Sequence, residues 1–488
     1  MSKKILLRSN KLCLFEYFLL SIILIGAFLV RLYSIDSPLA DWHSWRQADT
    51  SAVSRNFLKY SFDLLHPRFD DISNIPSGKE NPQGWRMVEF PIYNFLQAKA
   101  ASTFPQKSLE WWGRMISIIF SLGSLIFLYL ITKKYLGPKI GLFSAFFFGF
   151  LPFNIFYSRV ILPEPMMIFT SLGMIYLFSK WLEDGKYSFL YYLLSLILAG
   201  ITFLLKPFGL FLFFPLVYLL WRRWQFGIFK KPHFYVYVLM SILPFVLWRV
   251  WIAQFPEGIP SFIWLLNEGG IRFKGAFFRW IFAERLGKLI LGYWGLVFFT
   301  LGILTKPSKK DGWFFHWWLV AILFYFTVFA GGNVRHDYYQ IIAIPVVCIF
   351  LAKGFNLFLN PPPNFSRLIT FLLSLITLLF MFAFSWYEVR GFFNINHPEI
   401  VEAGKAVDRL VPKNAKVVAP YNGDTAFLYQ TNRQGWPALV NSVDYLISKG
   451  ANFYVSVSFD KETLELMKEY PILEKTDKYV ILSFQEKK

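Results

Sequence analysis

Residues 14–50 read LFEYFLLSIILIGAFLVRLYSIDSPLADWHSWRQADT. The first part, Leu14–Tyr33, is almost entirely apolar, and about 20 apolar residues suffice for a helix to cross the hydrocarbon core of a bilayer. The run is too long for the apolar core of a signal peptide, and no small-residue cleavage site follows it. We therefore expect a retained first membrane span, followed at once by a segment rich in acids, aromatics and cations.

Ten further apolar segments are long enough, or nearly so, to be spans. They are Trp112–Ile131, Ile140–Phe156, Pro163–Phe178, Phe189–Leu205, Phe208–Leu220, Phe234–Ala253, Leu289–Leu304, Trp313–Ala330, Ile341–Phe355 and Leu368–Trp386. The chain is 55% hydrophobic and 17% charged, against about 25% charged in soluble domains. The fold class predicted is an α-helical polytopic membrane protein with about eleven spans.

The formal net charge of +19 would suggest nucleic acid as a partner in a soluble protein. Here the basic residues instead follow the loops between spans, so we expect membrane lipids and no nucleic acid as partners. If the N-terminus is cytoplasmic, inside segments hold 18 Lys and Arg residues and short outside connections hold 3. This bias is the positive-inside pattern. It predicts a multi-pass protein of the cell membrane, with its N-terminus in the cytoplasm.

The same topology divides the chain into two domains. Residues 1–387 form the predicted membrane domain, in which residues 34–111 are a long extracytoplasmic loop with interfacial helices. Residues 388–488 have the composition of a soluble domain and are predicted to be a small extracytoplasmic α/β domain. Its predicted helices and strands are helix Pro398–Leu410, strand Lys416–Ala419, helix Val443–Lys449, strand Asn452–Val457, helix Leu464–Tyr470 and strand Tyr479–Phe484.

The first outside loop holds two carboxylates with open roles. Asp41 lies about eight residues past the first span and is either a solvated loop residue or a functional one. Asp49 precedes a helical pattern from Thr50 to Tyr60, which we interpret as a helix on the membrane surface. Asp49 is therefore either the N-cap of that helix or a functional group.

Three other polar positions fall on the same side of the membrane. Glu164 stands between two prolines at the mouth of a span, and Lys206 ends another span, where it either extends to the interface or binds a ligand. The sequence Arg335-His336-Asp337-Tyr338-Tyr339 fills a short outside turn. Cations there would bind a phosphate, and a carboxylate would orient or deprotonate an acceptor.

These segments resemble motifs of the GT-C glycosyltransferases of family 39, which include protein O-mannosyltransferases and the aminoarabinose transferases of lipid A. The resemblance covers about Leu14 to Trp386. It rests on Asp41 with the string His43–Thr50, on Glu89-Phe90-Pro91-Ile92-Tyr93, on Arg159–Pro165, on Leu205-Lys206-Pro207 and on His336–Tyr339. In three places the chain departs from the family: Trp42 follows Asp41 where relatives often have Glu, Glu164 replaces Asp, and Phe90 replaces a phosphate-binding lysine.

The resemblance implies a polyprenyl-phosphate sugar as donor and a protein, lipid or glycan as acceptor. Direct displacement at the anomeric carbon would invert its configuration, whereas a covalent glycosyl-enzyme would need a second carboxylate about 5 Å from the first. A monophosphate donor has less need of a divalent metal than a diphosphate, so we expect neither metal nor cofactor. Asp41 is the preferred base, with Asp49 as the alternative. The implied catalytic residues are Asp41, Asp49 and Glu164, and the implied substrate-binding residues are His43, Arg46, Glu89, Arg159, Lys206, Arg335, His336, Tyr338 and Tyr339.

Two other classes of function remain open at the level of sequence. One is a transporter or flippase of lipid-linked precursors, although transporters usually place polar groups at the bilayer midplane. The other is a scaffold whose outer domain binds a partner. Its recognition patch would be Tyr429–Pro437, which is otherwise turn sequence in a small domain.

Overall fold

The computed structural model describes residues 3–183, 185–307 and 310–487, with side chains described from Leu14 onward. It is mostly helical. The α-helices are α1 Lys3–Arg31, α2 Ser44–Lys59, α3 Ile92–Thr103, α4 Leu109–Leu136, α5 Pro138–Phe150, α6 Pro152–Tyr157, α7 Glu164–Trp181, α8 Ser188–Leu205, α9 Phe213–Trp224, α10 Pro232–Ile252, α11 Trp264–Asn267, α12 Gly275–Phe278, α13 Gly295–Leu304, α14 Phe314–Val328, α15 Ala330–Arg335, α16 Ile344–Leu359, α17 Arg367–Val389, α18 Pro398–Leu410, α19 Thr425–Gln430, α20 Val443–Ser448 and α21 Lys461–Glu469. The strands are β1 Lys416–Val418, β2 Gln434–Trp436, β3 Ala451–Ser456, β4 Ile472–Lys475 and β5 Val480–Ser483.

Within the described residues, seven helices are long and apolar enough to cross a membrane. An eighth span results if the π-helical stretch Arg279–Ile290, which continues α12, is counted together with α13, although the two parts meet at 116°. The other three predicted spans coincide with α5, α7 and α9, which are shorter or less apolar. Each predicted span is therefore helical, and several are interrupted.

The interruptions have identifiable causes. Pro152 follows the end of α5 and begins α6, and Pro207 follows α8 and begins a short 3-10 turn, Pro207–Leu212, before α9. Proline has no N–H and disfavours helical geometry in the residue before it, so each of these helices ends there. As a result Lys206 lies at a break in the helix, in extended conformation.

One buried cation joins the first span to its neighbours. Arg31, at the end of α1, is fully buried. Its guanidinium donates to the carbonyl of Gly149 at 2.8 Å and to Oγ of Ser158 at 2.7 Å. A buried guanidinium must satisfy its five donors, and here it uses the free carbonyls at the C-terminal end of α5. This fixes α1 at the end of the bundle from which the first loop departs.

The C-terminal residues form a five-stranded sheet in the order β2-β1-β3-β5-β4. β1 pairs in parallel with β2 and β3, while β5 is antiparallel to β3 and β4. The small α/β domain predicted from the sequence is therefore present, with α18 as predicted and β1, α20, β3, α21 and β5 within three residues of the predicted bounds. The short elements α19, β2 and β4 were not predicted.

The first loop packs against this sheet. Asp71 forms an isolated parallel bridge with Gly435 of β2, and the N–H of Ile72 donates to the carbonyl of Gly435 at 2.9 Å. Helix α2 packs against α3 on one side and α19 on the other, and most of its residues are buried. The helix predicted from Thr50 to Tyr60 is therefore present, but its interpretation as a helix lying on the membrane surface is wrong, because α3 and the C-terminal domain cover it.

Candidate active site

A cavity of roughly 690 Å³ lies between the membrane helices, the first loop and the C-terminal domain. The end of α8 and the last turns of α10 supply an apolar wall that includes Phe203, Phe245 and Trp248. The opposite wall consists of α2, loop residues 86–89 and residues 423–425 of the C-terminal domain. A mostly apolar cleft with a few convergent charged groups is typical of a ligand site.

Two cations and two carboxylates form a connected network at this cavity. Arg46 of α2 pairs with Glu89 at 2.5 Å, and Lys206 pairs with both Glu89 and Glu164, the latter at 3.1 Å. Burial alone would raise the pKa of Glu89, but the charges of Arg46 and Lys206 outweigh it and lower that pKa to about 2. Glu89 therefore stays ionised and holds both cations at the cavity wall.

Asp49 also lines the cavity. Its Oδ1 accepts a hydrogen bond from Thr425 Oγ1 at 2.7 Å, and its Oδ2 pairs with Arg86 at 2.8 Å. Helix α2 begins at Ser44, so Asp49 lies in its second turn and cannot be its N-cap; the capping interpretation is wrong. Asp49 is 4% exposed, and both of its oxygens have partners, so its carboxylate is held in one orientation.

Two more carboxylates, Asp71 and Asp424, line the same region. Burial raises the pKa of Asp71 to about 7. Burial, together with the nearby charge of Asp49, raises the pKa of Asp424 to about 6. Near neutral pH these two carboxyl groups are therefore partly protonated, whereas Glu89 is ionised.

A second polar cluster lies behind the cavity. Asp337 accepts hydrogen bonds from Trp42 Nε1 at 3.1 Å and from the Tyr157 hydroxyl at 2.5 Å, and its Oδ1 lies 2.6 Å from His43 Nε2. His43 has a φ of 53°, an uncommon conformation for a residue other than glycine, often found near functional sites. The ring of His43 packs edge-on against Tyr338, so this cluster supports one of the cavity's aromatic walls.

The structure brings together only part of the residue set predicted from the sequence. Those that line the cavity are Arg46, Asp49, Glu89, Lys206, Tyr338 and Tyr339. Glu164 does not line the cavity itself, but it forms an ion pair with Lys206, which does. The predicted residues that do not line the cavity are Asp41, His43, Arg159, Arg335 and His336.

Asp41, the preferred base, is turned away from the cavity. Its Oδ1 accepts from Gln47 at 2.8 Å, and its Oδ2 lies 3.8 Å from Arg114. Arg159 lies near the same carboxylate and donates to the carbonyl of Ser34 at 2.7 Å. Burial raises the pKa of Asp41 despite these cations. The geometry is that of a buried structural ion pair between the first loop and α4.

Arg335 and His336 also have other partners. Arg335 pairs with Glu268, which begins the short 3-10 segment Glu268–Phe273, and both side chains are about half exposed. His336 packs among the rings of His43, Trp45 and Trp264. Burial lowers the pKa of His336 to about 4, so its ring is neutral at pH 7.

Among the lining residues that sequence reasoning missed are the charged residues Arg86, Arg249, Asp71 and Asp424, and Thr425, which bonds to Asp49. Arg249 carried a signal, because a charged residue within an apolar span is a candidate functional residue by default. Among the described residues no acceptor pairs with the Arg249 guanidinium. Asp424 and Thr425 gave no signal, because they lie about 380 residues from the first loop.

Comparison with known proteins agrees with this architecture. Residues 89–251 match the family model of dolichyl-phosphate-mannose-protein mannosyltransferase. An uncharacterised protein of Aquifex aeolicus is 24% identical over 58% of this chain, and the match spans 63% of that relative's length.

Solved structures share the fold over most of the chain at low identity. ArnT from Cupriavidus metallidurans bound to undecaprenyl phosphate has a TM-score of 0.67 at 12% identity, over 95% of this chain and 97% of its own. The Archaeoglobus fulgidus oligosaccharyltransferase has a TM-score of 0.57 at 12% identity, over 89% of this chain and 67% of its own. The mycobacterial arabinofuranosyltransferase AftD has a TM-score of 0.57 at 11% identity, over 95% of this chain and 41% of its own.

The fold, the apolar helices and these matches define a multi-pass membrane protein with the GT-C glycosyltransferase fold. Within that class, the match of residues 89–251 and the likeness to ArnT confirm the resemblance to family 39 proteins that the motifs indicated.

Proposed function

We propose that the protein transfers a sugar from a polyprenyl-phosphate donor to a hydroxyl group of an acceptor, on the extracytoplasmic side of the membrane. The observation that carries this proposal is the cavity itself. It combines an apolar wall from membrane helices, a set of cations in which Arg249 has no carboxylate partner among the described residues, and the fixed carboxylate of Asp49. The acceptor belongs to one of the classes that the resemblance implies: protein, lipid or glycan.

The apolar wall suits the lipid part of such a donor. Phe203, Phe245 and Trp248 come from the ends of membrane helices, where a prenyl chain would reach the cavity from the bilayer. In solved structures with this fold, ArnT is bound to undecaprenyl phosphate, and the Archaeoglobus fulgidus oligosaccharyltransferase AglB is in complex with a dolichol-phosphate and an inhibitory peptide. These ligands support a lipid phosphate as the donor's carrier.

The cations suit the phosphate. Arg249 has no acceptor among the described residues, and Arg46 and Lys206 stand at the same cavity, where they share Glu89. Charge-assisted hydrogen bonds to phosphate are shorter and stronger than neutral ones. In the reaction the bond between the anomeric carbon and the phosphate oxygen breaks, and the electron pair leaves with the lipid phosphate. Arg249 and Lys206 would stabilise the charge that develops there.

Asp49 suits the role of base. As the acceptor oxygen bonds to the anomeric carbon, its proton must pass to an acceptor, and Asp49 offers a carboxylate at the cavity wall. The structure favours Asp49 over Asp41, because the Asp41 carboxylate faces Arg114 instead of the cavity. A single direct displacement inverts the configuration at the anomeric carbon.

The decisive test compares Asp49→Asn with Asp41→Asn in purified protein given polyprenyl-phosphate sugar and acceptor extract. Loss of a general base typically costs about 10²–10⁴-fold, so we expect Asp49→Asn to lower the transfer rate by that factor with donor binding retained. Asp41→Asn should chiefly lower the thermal midpoint, since it removes a buried charge partner of Arg114. The reverse pattern would assign the base to Asp41, and full activity in both variants would refute a carboxylate base on this loop.

We also propose that transfer needs no divalent metal, because a single phosphate can be neutralised by the cavity's own cations. Transfer by purified protein should then be unchanged after treatment with EDTA. Abolition by EDTA with recovery on addition of magnesium would refute this part of the proposal and leave the donor assignment standing.

A further inference from the structure

A second cavity, of roughly 400 Å³, lies at the other ends of the membrane helices. It is formed where α4 ends and α5 begins, together with the loop after α13 and the end of α16. Glu110, at the start of α4, accepts a hydrogen bond from Tyr429 of the C-terminal domain. A helix of 28 residues is about 40 Å long, so the two cavities lie at opposite faces of the bundle.

Four lysines line this second cavity: Lys133, Lys134, Lys306 and Lys353. Among the described residues, no aspartate or glutamate lines it. Two of these lysines pair with carboxylates that do not line the cavity. Lys133 pairs with Glu16 at 2.6 Å, and Lys134 pairs with Glu183 at 3.0 Å.

The other two lysines leave positive charge facing the cavity. Lys306 is exposed on its rim, and no carboxylate in the described parts of the chain pairs with it. Lys353 is only 5% exposed, and its Nζ donates to the carbonyl of Thr305 at 3.0 Å.

The burial of Lys353 separates this cavity from ordinary basic loops. Burying an ammonium group costs free energy unless the group is paired with an opposite charge. A backbone carbonyl oxygen carries only a partial negative charge. Lysines that merely mark an inside loop would lie in solvent, as Lys230 does on its loop. Asn356 and Asn360 add side-chain amides to the lining. The cavity thus presents ammonium and amide groups to whatever enters it.

We propose that this cavity binds a phosphate-bearing anion, most simply the headgroup of an anionic lipid. Basic pockets between membrane helices on the cytoplasmic side bind lipid headgroups in this way. Ile140 and Leu357 give part of the lining an apolar surface, which suits the first carbons below a headgroup. A free phosphate shares the same chemistry, and the experiment below separates the two sources.

The test measures thermal unfolding of the full chain in nanodiscs of neutral phosphatidylcholine, with and without phosphatidylglycerol, and separately in detergent with inorganic phosphate. We expect phosphatidylglycerol to raise the midpoint of the wild-type protein. Lys306→Gln should lose at least half of that shift, because Lys306 is exposed and its replacement leaves the fold intact. Lys230→Gln is the matched control, since it removes one exposed lysine elsewhere, and should keep the full shift.

Each outcome decides one point. If phosphatidylglycerol raises the thermal midpoint and inorganic phosphate does not, the ligand is a lipid headgroup. If inorganic phosphate raises the midpoint and Lys306→Gln reduces that rise, the cavity binds a free phosphate. Equal lipid shifts in the wild type, Lys306→Gln and Lys230→Gln would show diffuse attraction to the membrane surface and overturn the proposal. Absence of any shift would also overturn it. Lys353→Gln provides a second check. The rise in midpoint caused by phosphatidylglycerol should be smaller in this variant than in the wild type, whatever the midpoint of the variant without that lipid.

Discussion

Arg249 is a cation within an apolar helix and lines the cavity, and none of the residues that the structure describes accepts a hydrogen bond from its guanidinium. If it binds the donor phosphate, Arg249→Gln should raise KM for the lipid donor by about 10–100-fold. This corresponds to the roughly 1.5–3 kcal/mol of a hydrogen bond to a charged group. The measurement is transfer rate against donor concentration.

Arg390→Gln is the control for this prediction. Arg390 is exposed and lies against Tyr387, outside the cavity lining. Its replacement should leave the donor KM unchanged. Equal effects in the two variants would show that general charge loss, and not a phosphate contact, is responsible.

Asp71 makes stability depend on pH. It keeps its proton to about pH 7 in the folded protein, whereas an unfolded aspartate loses it near pH 4. The folded state binds more protons over that window, so stability falls as pH rises from about 4 to about 7. Asp71→Asn should remove most of this fall, which is on the order of 4 kcal/mol. Thermal midpoints at pH 5 and pH 8 test this, with the exposed Asp477→Asn retaining the wild-type slope.

At the residue scale, the sequence predicted some of the charged residues that line the cavity. Arg46 and Glu89 belong to motifs of the family resemblance, and Lys206 stood out as a cation at the end of a span. The sequence favoured Asp41 over Asp49, although Asp41 faces Arg114 and Asp49 faces the cavity. Asp41 precedes helix α2 and Asp49 lies within it, only eight residues apart. Which of the two carboxylates pairs with a neighbouring helix depends on tertiary packing, which the local sequence does not specify.

At the scale of elements, helix α19 positions helix α2. Thr425 begins α19, and its hydroxyl donates to Asp49 on α2. The aromatic ring of Tyr429 on α19 packs under Arg55 of α2, 3.9 Å from the guanidinium carbon to the ring centre. The segment proposed as a recognition patch is therefore an internal contact: Tyr429, Arg433 and Trp436 are all buried.

Thr425 is a positioning residue for the proposed base. Thr425→Val should lower kcat about tenfold or more, since it removes a hydrogen bond to a charged group, and should leave the donor KM near its original value. Thr425→Ser keeps the hydroxyl and should restore most of kcat. Thr431→Val serves as a control, because Thr431 is buried in the same domain and its hydroxyl donates to the carbonyl of Leu428, away from Asp49.

If Thr425→Ser failed to restore kcat while the variant stayed folded, the hydroxyl would have no positioning role. A loss of kcat in Thr431→Val as large as in Thr425→Val would instead indicate a general effect of destabilising the domain.

Long apolar elements were predictable, and short ones were not. Each predicted span coincides with helix, because lipid exposure demands a long apolar run whose backbone bonds are satisfied internally. The strands β2 and β4 have three and four residues, too few for a periodic pattern to emerge. The bend of 116° before α13 was also missed, because hydropathy averages over a window and does not report direction.

At the scale of the whole molecule, the proposed topology places the first loop and the C-terminal domain outside the cell and the basic loops inside. In a chain with Cys13 and Cys348 replaced, we expect Lys79→Cys to react with a membrane-impermeant maleimide in intact cells. Lys230→Cys should react only after permeabilisation. Both lysines are exposed, so burial does not bias the comparison. Labelling in the opposite sense would refute the orientation and, with it, the extracytoplasmic site.

The contact between the first loop and β2 has a consequence for biosynthesis. Gln434 donates to the carbonyl of Phe69 across 365 residues of sequence. At about 5–20 residues per second, a ribosome needs about 20–70 s to make the intervening chain. During that time the loop is present without its partner strand, and closure over so long a separation is slow. Backbone groups of the loop that later bond to β2, such as the N–H of Ile72, lack that partner in the meantime. We therefore expect newly made chains to depend on chaperones until the C-terminal domain is complete.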